Sequence, residues 1–193
     1  MTLRPSPLQL LSMSKKVLIL GPGGQYNHLI LRRVNELGYI GILKKFGERI
    51  EDFDAIIIGG GPARVNENSE EVNYVKEIVK LNKPILGICL GYQLISLAFK
   101  GKIEEYPSFG PQTIYIKRRD KIFEGIPDKF IAWESHNDTI TKIPKNFVIL
   151  AYSERNKAEV IKHRYKKIYG VQFHPEVNET EFGRIIIKNF IEL

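Results

Sequence analysis

Three short segments, far apart in a chain of 193 residues, carry residue types that together could open an amide. The first is Gly87-Ile88-Cys89-Leu90-Gly91, built around the one cysteine in the sequence. An apolar run, PILGI at 84–88, leads into it as a buried strand, and a short helical segment over roughly 90–99 follows. A sulfur on so sharp a strand-to-helix turn is exposed at a helix N-terminus, where negative charge is favoured. The flanking glycines relieve the crowding such a turn creates. The Leu90 N–H is then free to stabilise an oxyanion. By itself the pentapeptide also suits a buried structural cysteine between packing glycines.

The second segment is Tyr169-Gly170-Val171-Gln172-Phe173-His174-Pro175-Glu176. A thiol that attacks an amide needs a base, and the departing ammonia needs an acid; His174 can be both. Pro175 keeps His174 out of helical geometry. In extended chain Glu176 faces the same way as His174, so its carboxylate can hold the imidazole in one tautomer and orientation. A satisfied strand-end histidine is the plainer alternative. The third segment, Gly59-Gly60-Gly61-Pro62, follows the apolar run DAIII. Glycines there let backbone N–H groups approach a developing negative charge. The lysine and hydroxyl of a phosphate-binding P-loop are missing, and a simple tight turn remains open.

These segments need a scaffold that ends several strands side by side. KVLIL at 16–20, Tyr39–Leu43, 54–58 and 84–88 read as strands, with helices over 26–37 and 70–81 between them and 90–99 after the last. That rhythm predicts an α/β fold, an open, mostly parallel, doubly wound sheet with helices on both faces. Reactive groups in such sheets gather at the carboxyl ends of the strands, where the loops 21–25, 59–64 and 89–91 fall. From Lys102 to Gln172 the pattern changes to short β segments at 112–116, 129–134, 147–152, 158–162 and 168–172, closed by a helix over about 180–191. This β-rich C-terminal half is expected to extend the same sheet, so that residues 15–193 form one domain behind an N-terminal tail, 1–14. A start at Met13 is the alternative account of that tail.

With 43% apolar and 26% charged residues the composition is that of a globular protein. One cysteine excludes an internal disulfide framework and a multi-cysteine zinc site, and a lone thiol suits a reducing cytoplasm. No apolar run approaches the roughly 20 residues of a membrane helix, and the start lacks a secretory signal, so no membrane partner is expected. The net charge of +7 raises the question of an acidic partner. The basic clusters KRRDK at 117–121 and KHRYKK at 162–167 match no nucleic-acid module and read as solvated hairpin turns, ahead of a protein-docking surface.

Taken together, GGGP, GICLG and FHPE, in that order over nearly the whole chain, resemble the triad (class I) glutamine amidotransferases. Within them the chain is most similar to the glutaminase portion of GMP synthetases. The residues that carry this are Gln25-Tyr26 with Leu29-Ile30 and Arg32-Arg33, then Ser135-His136-x-Asp138, then Gly170 to Val177 followed by Thr180 and Gly183. Phe109-Gly110 stands where anthranilate synthase glutaminases usually carry a histidine-rich signature. Gly21-Pro22-Gly23 stands where the synthetases usually have an aspartate-containing turn.

The resemblance implies that Cys89 attacks the glutamine side-chain amide, His174 shuttles the proton, and Glu176 orients it. It further implies an oxyanion hole from the Gly60 and Leu90 N–H groups, with Gln93, Ser135, Asn137 and Asp138 on the substrate, Asp138 facing its α-ammonium. For 135–138 a plain β-turn is the alternative. No metal or cofactor is expected on this chain. No S-G-G-x-D-S nucleotide loop occurs, so the implied partner is a separate ATP-pyrophosphatase (synthetase) subunit that uses ATP and Mg²⁺ to aminate XMP. The alternatives are a glutaminase for anthranilate or aminodeoxychorismate synthesis, a γ-glutamyl hydrolase, and a non-catalytic regulatory subunit.

Overall fold

The computed structural model describes residues 14–21 and 25–193. The expected tail thus lies, apart from Ser14, outside the described residues, as do Pro22, Gly23 and Gly24 of the loop after the first strand.

The parallel half follows the apolar runs. Strands β1 (Lys16–Gly21), β2 (Ile40–Lys45), β3 (Ala55–Ile58) and β4 (Ile85–Ile88) alternate with helices α1 (Gln25–Glu36) and α2 (Glu70–Ile78), the latter extended by a 3₁₀ turn, Val79–Leu81. Helix α3 (Leu90–Ala98) follows β4 directly. Side chains alternate across a strand, so each run feeds two cores. Val17, Ile19, Ala55, Ile57, Leu86 and Ile88 meet Ile30 and Val34 of α1 on one face. Leu18, Leu20, Ile56, Ile58 and Ile85 meet Val72 and Val75 of α2 and Leu94 and Ile95 of α3 on the other.

The second half comprises β5 (Lys102–Ile116), β6 (Lys129–Lys142), β7 (Phe147–Tyr152), β8 (Val160–His163), β9 (Ile168–Val171) and helix α4 (Gly183–Ile191), with a 3₁₀ turn at Lys121–Phe123. All nine strands join one sheet in the order β2-β1-β3-β4-β9-β8-β7-β5-β6. Pairing is parallel from β2 to β9 and antiparallel from β9 to β6. Helix α4 joins α1 on its face through Ile186, Ile187 and Phe190. The β-rich half therefore extends the parallel sheet, as expected.

Two expectations are corrected. The segments read as 112–116 and 129–134 are the ends of much longer strands that pair from Lys102↔Lys142 to Tyr115↔Lys129. Lys102–Pro111 is rich in Glu and Pro and mostly exposed, so it lacks alternation; backbone pairing rather than burial holds it, with a register shift between Glu105 and Ser108 beside Pro107. Ser135–Asp138 accordingly lies inside β6 and is not a turn. The second correction concerns only the start of 162–167, since 164–167 is the exposed hairpin turn expected. Lys162 and His163 belong to β8, and the buried His163 accepts the Tyr165 and Lys166 N–H groups at its Nδ1, 3.1 Å each, which ties the turn to the strand.

Candidate active site

Strand order explains why residues 59–61, 89 and 174 meet. Strand β4 lies between β3 and β9, all three parallel, so their carboxyl ends stand side by side. The glycine loop leaves β3, Cys89 leaves β4, and Gln172-Phe173-His174 leaves β9.

Cys89 has φ 53° and ψ −105°, a conformation strained for a residue with a Cβ. Its N–H is held by the Val171 carbonyl at 2.9 Å, and it caps α3, whose residues Leu90 to Leu97 are all buried. The flanking glycines act through close packing of backbone on backbone. A Cβ on Gly91 would lie 2.0 Å from the Ile58 carbonyl oxygen, and one on Gly87 would lie 2.5 Å from Gly91 itself. The helix can start against β3 and β4 only because neither residue has a side chain. The Leu90 N–H heads that helix, where first-turn N–H groups lack intrahelical acceptors.

His174 is buried, and its backbone is fixed on both sides: its N–H donates to the Trp133 carbonyl at 2.9 Å and its carbonyl accepts Thr180 Oγ1 at 2.6 Å. Its Nδ1 lies 2.7 Å from Glu176 Oε1, and Glu176 is fully buried. Burial alone pushes the imidazole toward its neutral form. The Glu176 charge and hydrogen bond, together with the neighbouring Cys89, outweigh that and hold its pKa well above the usual histidine range. Gly60 closes the group. A Cβ there would lie 3.4 Å from His174 Cε1 and 3.7 Å from Cys89 Cβ, so its backbone runs directly beside both.

A cleft of about 460 Å³ opens here, and Cys89, Leu90, Gln93, Ser135, Asn137, Asp138 and His174 line it. All the residues singled out from the sequence thus converge, with Glu176 behind His174 and Gly60 beside it. The Ser135 carbonyl lies 3.8 Å from Cys89 Sγ. Gln93 is already engaged, donating from Nε2 to the Asp138 carbonyl at 2.6 Å, so it braces β6 as well as facing the cleft.

Four contributors escaped the sequence reading. The Tyr26 ring packs on His174, centroids 4.6 Å apart. Arg33 donates from Nε to the Glu176 carbonyl at 2.9 Å and from Nη2 to Asn178, pinning the loop that carries the carboxylate. His136 lines the cleft, and its Nε2 is 3.3 Å from Glu134. Asn27 sits where a Cβ on Gly21 or Gly59 would be, wedged between two strand ends. Tyr26 and Arg33 stand within the segments that carry the resemblance. His136 too stands in such a segment, Ser135-His136-x-Asp138, whereas nothing in the sequence around Asn27 announces a role.

The family model for glutamine amidotransferase class-I matches residues 18–193. A glutamine-hydrolyzing GMP synthase subunit of Methanococcus maripaludis is 44% identical, covering 90% of this chain and 94% of that protein. Its namesake in Ignicoccus hospitalis is 38% identical over 92% and 97%. A crystal structure described as a GMP synthase subunit from Thermoplasma acidophilum superposes with a TM-score of 0.85 at 32% identity, covering 93% of each chain. With a cysteine, histidine and glutamate joined at the ends of β4 and β9, and with this similarity over nearly its full length, the chain belongs to the class I glutamine amidotransferases.

Proposed function

We propose that this chain is the glutaminase subunit of a GMP synthetase, which hydrolyses glutamine to glutamate and ammonia and hands the ammonia to a separate synthetase chain. The observation that carries the reading is the buried His174–Glu176 pair beside Cys89, with Gly60 backbone against both. The kinship to proteins named as glutamine-hydrolyzing GMP synthase subunits, spanned almost end to end, supports the pathway.

In this reading the Cys89 sulfur attacks the side-chain amide carbon of glutamine while His174 takes the thiol proton. The Gly60 and Leu90 N–H groups receive the oxyanion. Collapse of the tetrahedral adduct breaks the C–N bond, His174 returns the proton to nitrogen, and ammonia leaves a γ-glutamyl thioester. Water, deprotonated by His174, then cleaves the thioester to glutamate and regenerates the thiol. Glu176 fixes the imidazole and balances its charge throughout. Ser135, Asn137 and Asp138 line the side of the cleft that would take the amino-acid end of the substrate, Asp138 toward the ammonium, with Gln93 holding that wall.

Neither step calls for a metal or cofactor on this chain; ATP and Mg²⁺ belong to the proposed ATP-pyrophosphatase partner, which would activate XMP for amination. A lone, reactive thiol fits the cytoplasm as the site of action. The test is Cys89→Ala in the reconstituted pair with XMP and ATP. Glutamine-dependent GMP formation is expected to vanish while ammonia-dependent formation persists. Glutamine-dependent synthesis that survives the substitution would refute the nucleophile, and a pair that never makes GMP would refute the pathway.

A further inference from the structure

Behind the cleft lies a second buried carboxylate group that the reaction above leaves unused. Glu134 of β6 and Glu159, one residue before β8, are both fully buried, and their carboxyls face each other within hydrogen-bond reach. Both oxygens of Glu134 and Oε2 of Glu159 have no hydrogen-bond donor, whereas Glu159 Oε1 accepts Ser153 Oγ at 2.7 Å. Buried carboxylate oxygens rarely stay without donors, because each carries the full cost of its lost hydration.

The nearby donors, Ser108 Oγ, His136 Nε2 and Asn156 Nδ2, are themselves without a closed hydrogen bond. Glu134 faces His136 on its own strand, Nε2 to Oε2 3.3 Å, and the Ser108 hydroxyl on β5. Glu159 faces Ser153 and Asn156 of the β7–β8 connection. From α3 the buried Tyr92 hydroxyl senses both charges but is committed to the Ala158 carbonyl. Among the described residues no lysine or arginine pairs with either. A single histidine cannot balance two carboxylates, and two buried carboxylates in contact cannot both be ionised. A single proton between them removes the repulsion and gives the orphan oxygens a donor.

The place of this pair in the fold gives it a consequence for the cleft. Glu134 and His136 flank Ser135, whose carbonyl is the group nearest Cys89 Sγ on β6. Glu159 precedes the strand that pairs with β9, and its carbonyl accepts the Gln172 N–H at 2.9 Å, two residues before His174. We infer that Glu134 and Glu159 share one proton and thereby clamp β6 to the β8–β9 layer, making them positioning residues that hold the Ser135–Asp138 wall against the nucleophile. Burial and the Glu134 charge push Glu159 above the ordinary carboxylate range; Glu134 has His136 Nε2 at 3.3 Å, and among the described residues Glu159 has no basic side chain in an ion pair, so Glu159 is the carrier. Loss of the proton at alkaline pH sets two like charges in contact and lifts the wall.

This inference rests on the glutaminase reading for its effect on Cys89, but the shared proton itself can be seen without any reaction. Glu159→Gln supplies a permanent donor of the same shape: its amide oxygen can take Ser153, and its NH₂ can face Glu134. In the full-length chain, infrared spectra at neutral pH are expected to show a protonated carboxyl C=O band that Glu159→Gln removes. Cys89 labelling by a glutamine-analogue diazoketone gives the second readout, as the rate at about pH 9 relative to about pH 7. Titration of Cys89 and His174 is common to both proteins and cancels in the comparison. The ratio for Glu159→Gln is expected to exceed the wild-type ratio by about threefold or more. No carboxyl band in the wild type overturns the shared proton. A band with superimposable labelling profiles overturns the positioning role. Failure of wild-type Cys89 to label at any pH strikes instead at the reading of the site, leaving the infrared result standing.

Discussion

The molecule contains two buried histidine–glutamate pairs at a spacing of two residues on extended chain, and they differ in nearly everything else. His174 and Glu176 leave the end of β9, with Nδ1 to Oε1 2.7 Å, and the imidazole reaches Cys89. His136 and Glu134 lie within β6, with Nε2 to Oε2 3.3 Å, and the carboxylate faces another carboxylate. Spacing brings an acid and an imidazole to one side of a strand in both cases. What they do is set by the third group. In the proposed reaction a thiol makes the first pair a proton shuttle, and in the inferred arrangement a second carboxyl makes the other a clamp.

The sharpest way to break that contrast is the same substitution at both histidines. His174→Gln removes the one group able to carry the proton, and kcat/KM for glutamine is expected to fall by about 10³-fold or more. His136→Gln keeps an amide where Nε2 meets Glu134, and the fall is expected to stay near about tenfold, the scale of one weakened hydrogen bond. Steady-state ammonia release from the assembled pair measures both. Equal losses would mean that the two pairs are not distinct in kind.

A second contrast separates glycines that permit the fold from the one that borders the chemistry. Gly91→Ala drives a Cβ to within 2.0 Å of the Ile58 carbonyl, a fixed backbone atom, so β3 and α3 must part. The expected cost is about 1–3 kcal/mol or more, read as a melting temperature lowered by roughly 2–4 °C per kcal/mol. Gly60→Ala meets His174 Cε1 at 3.4 Å, Cys89 Cβ at 3.7 Å and the Ile88 carbonyl oxygen at 4.0 Å, ordinary contacts. Its melting temperature should stay close to wild type while kcat falls by about tenfold, because a methyl group intrudes on the space of the oxyanion. A stable, fully active Gly60→Ala protein would remove Gly60 from the reacting site.

These glycines also mark what the sequence makes legible. The parallel half follows from runs such as KVLIL and AIII, since a strand buried on both faces must be apolar throughout. The triad is legible because its partners stand at strand ends with Gly or Pro beside them. The reach of β5 and β6 is hidden, because Lys102–Pro111 is paired through its backbone while its side chains stay largely in solvent. Glu134 and Glu159 are hidden for a related reason. A glutamate in or beside a strand reads as solvated surface, and its spacing does not reveal that the fold buries it completely. Pairing with β5 places Ser135–Asp138 inside β6, where it forms a wall of the cleft.

The smallest effect concerns stability rather than rate, and it separates the two carboxylate environments by pH. The folded chain keeps a proton on Glu159 at pH values where the unfolded chain has released it. Its contribution to stability is therefore complete below the ordinary carboxylate range and is lost as pH rises toward its elevated folded value. His174, also raised, loses its contribution the same way, starting above the ordinary histidine range. Glu134, lowered, behaves oppositely, with its contribution present above the carboxylate range and lost on acidification. Glu159→Gln deletes the first of these and keeps a donor facing Glu134. Its melting temperature should match wild type in mild acid and exceed it increasingly toward neutral pH, by roughly 2–4 °C for each kcal/mol that wild type forfeits. Thermal melts across that range decide the matter. Parallel curves would mean that Glu159 ionises alike in folded and unfolded chains, and that the two buried pairs hold their charges in the same way.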